Sequence, residues 1–462
     1  IEEKHKRIKN GSSIMDDTTA FNFTMLFGLP ANTVPQDLKN NLSNWAPSPE
    51  TLEINKDAVI WAVDGKDDRS VAFAARLLEQ NIQVRIIDKD STLSGHDLSR
   101  GSVAVIAMDN PSFNNLHEAI KNVATNLDIS VVSIESGFGP KELPDWGGRH
   151  FRLLKKPQIA ILSHSGFSSY DVGVSWWSLD HHLGIRHSQL NSSLTGYGDL
   201  RRYNTIILPS GNPDLSDYAT NMLMDWVKQG GTLIANNRST RSIISSDGMG
   251  SVKSLNSSFD KSKSYNIDLM REIYSLEDNI DISNANSNKV DTEITYPWET
   301  SDVSYSKEQL EMRDKWQSTL MPSGAIVSAR VDSENWLTFG AEDVVPVLYG
   351  NYPILMTGGN SLAALRIGEL IPNKDSKAKT INWSQIPSGY DLNVRMSGLV
   401  WPEASQRIAN SAYLTREKVG KGQIILFSGE PNFRGSARGT NRLWLNAVIY
   451  GSGLGTNPLV NP

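Results

Sequence analysis

Cysteine is absent from this sequence of 462 residues. Its absence excludes disulfide bonds, and it excludes any reaction that needs a cysteine thiolate as the nucleophile. A chain without cysteine fits either a reducing cytosol or a bacterial envelope protein that avoids stray oxidation. We therefore expect neither a disulfide scaffold nor a cysteine-dependent enzyme.

Long apolar runs and an excess of positive charge are also missing. No apolar stretch approaches the roughly 20 residues that a membrane-spanning helix needs, so no membrane span is expected. The net charge of −6 argues against nucleic acid as the main partner, because phosphate binding needs a concentrated basic surface. The N terminus lacks both the apolar core of a signal peptide and an initiator methionine, which predicts that Ile1 begins a mature or truncated chain.

Strand-like and helix-like patterns alternate between about residues 56 and 140. Ala58–Val63 is a continuous apolar run typical of a buried strand, and Ser70–Gln80 carries apolar residues on one helical face. The next elements are strands at Gln83–Ile87, Ser102–Met108 and Ile129–Ile134 and a helix at Asn114–Leu127. Strands that alternate with helices in this way predict a parallel sheet with right-handed crossovers. We expect a small doubly wound α/β domain over residues 56–150, preceded by an N-terminal segment of residues 1–55.

A second α/β domain is predicted over residues 151–462, with an insertion at about residues 239–323. The predicted elements before the insertion are Gln158–Leu162, Asp171–Leu183, Ile185–Leu190, Thr205–Pro209, Leu215–Lys228 and Thr232–Ala235. Ser239–Asn266 is rich in Ser, Gly and Lys, which predicts an exposed loop. The Asn- and Asp-rich stretch Asp278–Asp291 does not fit a calcium loop and is also expected to be solvated. The fold class is thus α/β, with two doubly wound, mainly parallel sheets.

A strand, loop and helix are predicted close to the C terminus. The turn at Gly420–Gly422 leads into the apolar run Ile424–Phe427, which is typical of a strand buried on both faces. After a glycine-rich loop, Thr440 is the expected N-cap of a helix that carries Leu443, Ala447 and Tyr450 at helical spacing. These elements would complete the second sheet.

Several stretches together carry a family resemblance. They are Tyr203–Gly211, Ser328–Asp332, Phe339–Gly340, Met396–Glu403, Ala412–Glu417 and Val419–Gly451. In this order they resemble the C-terminal region of large bacterial zinc carboxypeptidase-like proteins, over roughly Lys156 to Gly453. A shorter match at Phe21–Pro30 resembles the segment that follows the peptidase domain in those proteins. The resemblance implies a class I glutamine amidotransferase-like or flavodoxin-like fold.

The residues for either chemistry of such proteins are missing. The family's peptidase domain binds zinc with a His-x-x-Glu pair and a distant second histidine, and none of the eight histidines here has a glutamate three residues later. An amidotransferase needs a cysteine on a strained turn between a strand and a helix. After the strand Thr232–Ala235 this chain has Asn236, Asn237 and Arg238 instead. We infer an amidotransferase-like fold whose chemistry has been lost.

The resemblance therefore implies a non-catalytic accessory region that binds or scaffolds. Its partner would be its own upstream peptidase domain, lying before Ile1, with a peptide or a cell-wall fragment as substrate. Zinc is expected only in that peptidase domain, and no cofactor or metal is expected in this chain. The parent protein would be a zinc carboxypeptidase, and the resemblance implies a bacterial periplasmic or extracellular location.

His164 and Ser165 follow the predicted strand Gln158–Leu162, at a carboxyl edge where open α/β sheets bind ligands. One interpretation is an independent hydrolase in which Ser165 pairs with His181 or His182; the other is that small polar residues simply end the strand. A metal shared by His181 and His182 is disfavoured, because adjacent helical residues point roughly 100° apart.

Glu430, Asn432, Arg434 and Arg438 lie in the loop after the last predicted strand, again at a carboxyl edge. The two arginines could receive a carboxylate through paired N–H donors, which would suit a peptide C terminus or a cell-wall fragment. The alternative is that they cap the neighbouring helix and pair with acids across an interface. The candidate ligand-contacting residues are thus His164, Ser165, Glu430, Asn432, Arg434 and Arg438, and no catalytic residue is assigned.

Overall fold

The computed structural model describes residues 6–7, 22–31, 53–138, 145–192, 199–244, 249–275 and 305–457. The helices are α1 Phe23–Phe27, α2 Ser70–Glu79, α3 Leu116–Leu127, α4 Ser169–Trp177, α5 Asp217–Lys228, α6 Thr240–Ile244, α7 Ser262–Ser275, α8 Lys307–Gln317, α9 Pro402–Ile408 and α10 Arg438–Leu454. A π-helical turn, Ser178–Leu183, continues α4. No helix among these residues is both long and apolar enough to cross a membrane. The predicted Asp278–Asp291 loop lies outside the described residues.

The strands of the described residues fall into two main sheets and three two-stranded sheets. The first part of the chain forms β1 Ile60–Val63, β2 Arg85–Ile87, β3 Ser91–Leu93, β4 His96–Leu98, β5 Val103–Ile106, β6 Val132–Ile134 and β7 Phe151–Leu153. Strands β8 Ile159–Ser163, β9 His187–Asn191, β10 Thr205–Leu208, β11 Thr232–Asn236 and β12 Lys253–Ser254 follow. The remaining strands are β13 Ala325–Val331, β14 Val344–Tyr349, β15 Leu355–Met356, β16 Ser361–Ile367, β17 Glu369–Pro372, β18 Lys379–Ile381, β19 Ser384–Ile386, β20 Tyr390–Asn393, β21 Arg395–Ser397, β22 Ala412–Val419 and β23 Gly422–Phe427.

The first sheet is antiparallel, so the predicted parallel, doubly wound arrangement is wrong for this part of the chain. Its order is β6-β1-β5-β2-β7, and every neighbouring pair is antiparallel. After β2 the chain forms the β3–β4 hairpin and returns as β5 without a helical crossover, so β5 inserts between β1 and β2. This interleaving is the split β-α-β arrangement of ferredoxin-like folds.

The second sheet has 12 strands and is mixed, and its parallel half confirms the predicted α/β layer. The order β14-β13-β16-β22-β23-β11-β10-β8-β9 is parallel from β23 to β9 and antiparallel from β14 to β23. Alternate residues face opposite layers. Ile161, Ile207 and Ile234 share a core with α10, whereas Ala160, Ile206 and Leu233 share a second core with α5. The parallel half is therefore covered on both faces.

The C-terminal elements occupy the centre of this sheet, as the sequence predicted. β23 is buried along its whole length and pairs with β11 on one side and β22 on the other. The predicted N-cap is wrong, because α10 begins at Arg438 after Ala437. The Thr440 hydroxyl instead donates to the Pro431 carbonyl oxygen at 2.5 Å and so closes the loop that precedes the helix.

The exposed loop predicted at Ser239–Asn266 is also wrong. This stretch contains α6 and the beginning of α7, and four of its apolar side chains are at most 4% exposed: Met249, Val252, Leu255 and Phe259. Their spacing of three or four residues lets a polar segment bury one apolar row. The loop was predicted from the average composition of the segment, and an average does not reveal a few apolar residues at helical spacing.

Arg442 in α10 joins the two sheets. Its guanidinium group donates to the Gly65 carbonyl oxygen at 2.9 Å, the Asp67 carbonyl oxygen at 2.9 Å and the Ser70 hydroxyl at 3.1 Å. The Arg442 side chain is 3% exposed. One buried arginine of the second domain therefore donates hydrogen bonds to the loop between β1 and α2 of the first domain.

The described part of the N-terminal segment also contacts α10. Gly28, which ends α1, has φ +68°, and a Cβ built there would lie 3.1 Å from the Gly439 Cα. Leu26 of α1 is 6% exposed and packs with Ala437 and Leu348. Two glycines thus allow the backbones of α1 and α10 to touch.

Candidate functional site

The parallel strands β8, β10, β11 and β23 end at one edge of the large sheet. Because they are adjacent and parallel, the residues that follow them lie side by side. His164 and Ser165 follow β8, Asn237 follows β11, and Glu430 follows β23 after Ser428 and Gly429. The structure thus places His164, Ser165 and Glu430 at the same edge.

Asn237 occupies a strained turn between β11 and α6. Its φ is 47°, in the left-handed region that non-glycine residues seldom adopt, and it is 3% exposed. The Asn237 Nδ2 donates to Glu430 Oε1 at 2.7 Å, and the Thr240 hydroxyl donates to the Asn237 carbonyl oxygen at 2.6 Å. The turn connects a strand to a helix, as turns that carry a nucleophile do. Its residue here is an asparagine, whose side-chain amide is hydrogen-bonded to the carboxyl of Glu430.

Glu430 titrates near neutral pH because of its surroundings. Burial, together with the neighbouring carboxyl of Asp171, raises the pKa of the Glu430 carboxyl to about 7, whereas Asn237, Arg238 and Arg434 oppose the shift. Burial also raises the pKa of Asp171, in the first turn of α4. Two carboxyls with raised pKa values therefore share this edge.

Two tyrosines form the apolar wall beside Glu430. A Cβ built on Gly429 would lie 2.9 Å from the Tyr413 ring and 3.2 Å from the Tyr352 ring, so both rings close on the backbone next to Glu430. Tyr413 is fully buried. These rings exclude water from one side of the carboxyl, which is the physical source of its raised pKa.

His164 and Ser165 make separate contacts. His164 is exposed, has φ 71°, and its Nδ1 lies 2.8 Å from the Ser163 hydroxyl. Ser165 is exposed, and its carbonyl oxygen accepts a hydrogen bond from Ser192 at 3.1 Å. Over the described ranges, the Ser165 hydroxyl makes no hydrogen bond to a histidine.

His181 and His182 belong to a different cluster. The His181 ring stacks on Trp177 at a centroid distance of 5.2 Å, and the His182 ring lies tilted against Trp177 at 4.1 Å. Arg438 Nη1 lies 2.8 Å from His182 Nδ1, and the Arg438 guanidinium lies over the Trp177 ring at 4.9 Å. Burial, with a smaller contribution from Arg438, lowers the pKa of His182 to about 4, so His182 is neutral at pH 7 and accepts a hydrogen bond from the Arg438 guanidinium.

The four loop residues predicted as ligand contacts are divided between these two clusters. The positive charge of Arg434 opposes the rise in the Glu430 pKa, whereas Arg438 lies over the Trp177 ring and donates to His182. Asn432 is 5% exposed, and its Nδ2 is buried with no hydrogen-bond partner among the described residues. Neither Arg434 nor Arg438 forms an ion pair with a carboxylate in the part of the chain that the structure describes. The alternative in which these arginines pair with acids is therefore not what the structure shows.

Sequence reasoning missed Asp171, Tyr352 and Tyr413 as members of the site. Asp171 was only the start of a predicted helix, and the tyrosines belong to β22 and to the loop before β15. The turn at Asn237 was noted for its lack of cysteine, but its contact with Glu430 spans 193 residues and no local pattern indicates it.

Comparisons with known proteins place the chain in no family. No protein-family model matches it, and no curated protein matches it. Among solved structures, it is similar to a ThuA-like protein from Bacteroides uniformis, with 9% identity and a TM-score of 0.32 over 64% of this chain and 91% of that one. A ThuA-like protein from Parabacteroides merdae has 9% identity and a TM-score of 0.34 over 66% and 93%.

A beta-galactosidase from Bacillus circulans has 10% identity and a TM-score of 0.30, over 79% of this chain and 38% of that one. No carboxypeptidase stands among these structures. The resemblance to carboxypeptidase-like proteins therefore stays a prediction.

Proposed function

We propose that this chain is a non-catalytic region that binds and scaffolds, and that it accompanies a zinc carboxypeptidase-like domain in a longer protein. The main support for a non-catalytic role is the hydrogen bond between the side chains of Asn237 and Glu430. It occupies the strained turn where an enzyme of this general architecture would carry its nucleophile. A carboxamide has no nucleophile to offer there, because its nitrogen lone pair is delocalised into the carbonyl group.

The second support is the distribution of the remaining polar groups at the edge. The His181 ring stacks on Trp177, and His182 accepts a hydrogen bond from Arg438, so neither imidazole is positioned to activate the exposed Ser165. A Ser/His hydrolase at this edge would require a rearrangement of both histidines. The hydrolase alternative is thus the weaker of the two.

The groups at the edge suit a peptide-like ligand. Glu430, with its pKa near 7, donates a hydrogen bond when protonated and accepts one when ionised. Arg238 and Arg434 are exposed beside it and can receive a carboxylate. We therefore propose a peptide C terminus or a cell-wall peptide as the ligand, with the upstream peptidase domain as the partner.

The test compares the isolated chain with the protein encoded by the complete reading frame. Both are assayed for peptidase, amidase and esterase activity, with and without a chelator. The proposal expects an upstream His-x-x-Glu pair and activity of the longer protein alone, lost with the chelator. Turnover by the isolated chain that Ser165→Ala abolishes would establish the hydrolase alternative. A reading frame without a peptidase domain would remove the proposed partner.

A further inference from the structure

Two buried arginines lie directly opposite each other in the antiparallel half of the large sheet. Arg330 of β13 and Arg366 of β16 are Cα partners, and they are 8% and 4% exposed. Side chains at directly opposed positions point to the same face of a sheet, with Cβ atoms roughly 5 Å apart, and like charges there are destabilising. Two guanidinium groups therefore share one poorly solvated space.

Each side-chain nitrogen of Arg366 has a hydrogen-bond partner in the protein. Its Nε lies 2.7 Å from both carboxylate oxygens of Glu272, which α7 supplies. Its Nη1 donates to the Asn410 carbonyl oxygen at 3.0 Å, and its Nη2 donates to the Thr357 hydroxyl at 2.7 Å. The carboxylate of Glu272 thus serves Arg366.

Arg330 is satisfied on one side only. Its Nη1 donates to the Gly368 carbonyl oxygen at 3.0 Å, whereas its Nε and Nη2 are buried and have no partner among the described residues. Nε and Nη2 form the side-on edge of a guanidinium group, where two parallel N–H bonds meet a carboxylate or a phosphate. Burying a cation whose N–H donors are unpaired lowers the stability of the fold. A carboxylate or phosphate at this edge would remove that penalty.

An open cavity of about 380 Å³ adjoins this pair. Arg330 and Arg366 line it together with Glu272, Thr357 and the backbone of Gly358 and Gly359. Cavities of about 300 Å³ and more accommodate small organic molecules. Asp268 and Asp332 also line the cavity and suit a ligand whose far end is cationic or neutral.

We propose that this cavity binds a small oxyanionic ligand, whose carboxylate or phosphate group takes the side-on edge of Arg330. The ligand neutralises the second guanidinium of the pair, as Glu272 neutralises the first. The site lies on β13, β16 and α7, apart from the edge that holds Glu430, and it goes beyond the proposed function.

The test measures the thermal unfolding of the chain, and calorimetric binding, with 4-aminobutyrate, L-glutamate and inorganic phosphate at constant ionic strength. A ligand that binds only the folded state raises the unfolding temperature as its concentration increases. Stabilisation by 4-aminobutyrate or glutamate identifies a carboxylate ligand, and stabilisation by phosphate alone identifies a phosphorylated one. No stabilisation by any of the three overturns the proposal.

Two variants locate the binding. Arg330→Lys keeps the positive charge but loses the paired N–H donors, so the affinity for the ligand falls roughly tenfold or more. The control is Arg201→Lys, at an exposed arginine, which leaves the affinity unchanged. Leu362 lines the cavity and is 53% exposed, so Leu362→Trp narrows the cavity without disturbing the core. It weakens binding, whereas Ile371→Trp, at a site 41% exposed, does not. Wild-type binding by Leu362→Trp overturns the proposal even if Arg330→Lys fails to fold.

Discussion

The side-chain amide of Asn237 donates to the carboxyl of Glu430 at 2.7 Å and joins the ends of β11 and β23. The amide stands on a left-handed turn, and the carboxyl has a pKa of about 7. The contact thus joins a strained backbone turn to a carboxyl that exchanges a proton near neutral pH. The first two predictions test its two partners.

Glu430→Gln should remove a pH dependence of stability between about pH 4.5 and 7. Since the folded state raises the Glu430 pKa from 4.5 to about 7, it binds the proton more tightly than the unfolded state. Stability is therefore fully present below pH 4.5 and falls as the pH rises through 7, by roughly 3 kcal/mol at most. The measurement is urea unfolding of wild type and variant at pH 5 and pH 8.

The variant should be more stable than wild type at pH 8 and should differ little from it at pH 5. Glu311→Gln, at an exposed carboxylate of α8, is the control and should follow wild type at both pH values. If the free energy of unfolding changes equally between pH 5 and pH 8 in wild type and in Glu430→Gln, the pKa of Glu430 is not raised in the folded state.

Asn237→Ala should destabilise the chain more than Asn237→Gly. Both variants lose the bond to Glu430, but alanine keeps a Cβ at φ 47°, where an L-residue is disfavoured by roughly 1 kcal/mol relative to glycine. The unfolding free energies of the two variants measure this difference. The neighbouring Asn236, with φ −111°, provides the control. There glycine should be the worse substitution, and the same order at both positions would exclude backbone strain as the cause.

Arg442→Met should weaken the contact between the two sheets. It removes the donors to Gly65, Asp67 and Ser70 and leaves the Gly65 carbonyl oxygen buried with no other partner among the described residues, at a cost of about 2 kcal/mol. The Asp67 carbonyl oxygen keeps its hydrogen bond from the Ser70 amide at 3.0 Å. Limited proteolysis should then cut the first domain faster, and the unfolding midpoint should fall. Arg201→Met, at an exposed ion pair, should change neither quantity. Unchanged proteolysis of Arg442→Met would show that the domains are held elsewhere.

Arg438→Met should raise the pKa of His182. Burial is the largest cause of its low value of about 4 and Arg438 is the second, so the variant should move the pKa upward but leave it below 6.5. Because the folded pKa is depressed, wild-type stability from this group is present above about pH 6.5 and is lost as the pH falls through 4. NMR titration of the His182 ring gives the pKa directly, and an unchanged value would contradict the 2.8 Å contact.

Local patterns predicted the elements whose signals are local. β10 lies within the predicted strand Thr205–Pro209, and β23 is buried along its whole length as its sequence indicated. The antiparallel pairing of the first sheet was missed, because it depends on the β3–β4 hairpin, and its second strand begins with the exposed polar residues His96 and Asp97. A sequence of strands and helices fixes which elements exist but not which strands become neighbours.

The site was only partly predictable for the same reason. Glu430 and His164 were found because both follow apolar strands, and carboxyl edges of parallel sheets converge. Their partners were not found, since Asn237 and Asp171 are remote in sequence and their importance comes from burial and proximity. The cross-strand pair of Arg330 and Arg366 likewise depends on a register that the sequence does not show.

The most direct measurement of the central claim is turnover by the purified chain on peptide, amide and ester substrates, beside the longer protein with and without a chelator. The account predicts no turnover by the chain under any condition and chelator-sensitive peptidase activity of the longer protein. Hydrolysis by the chain itself, lost in Ser165→Ala and retained with the chelator, would contradict it.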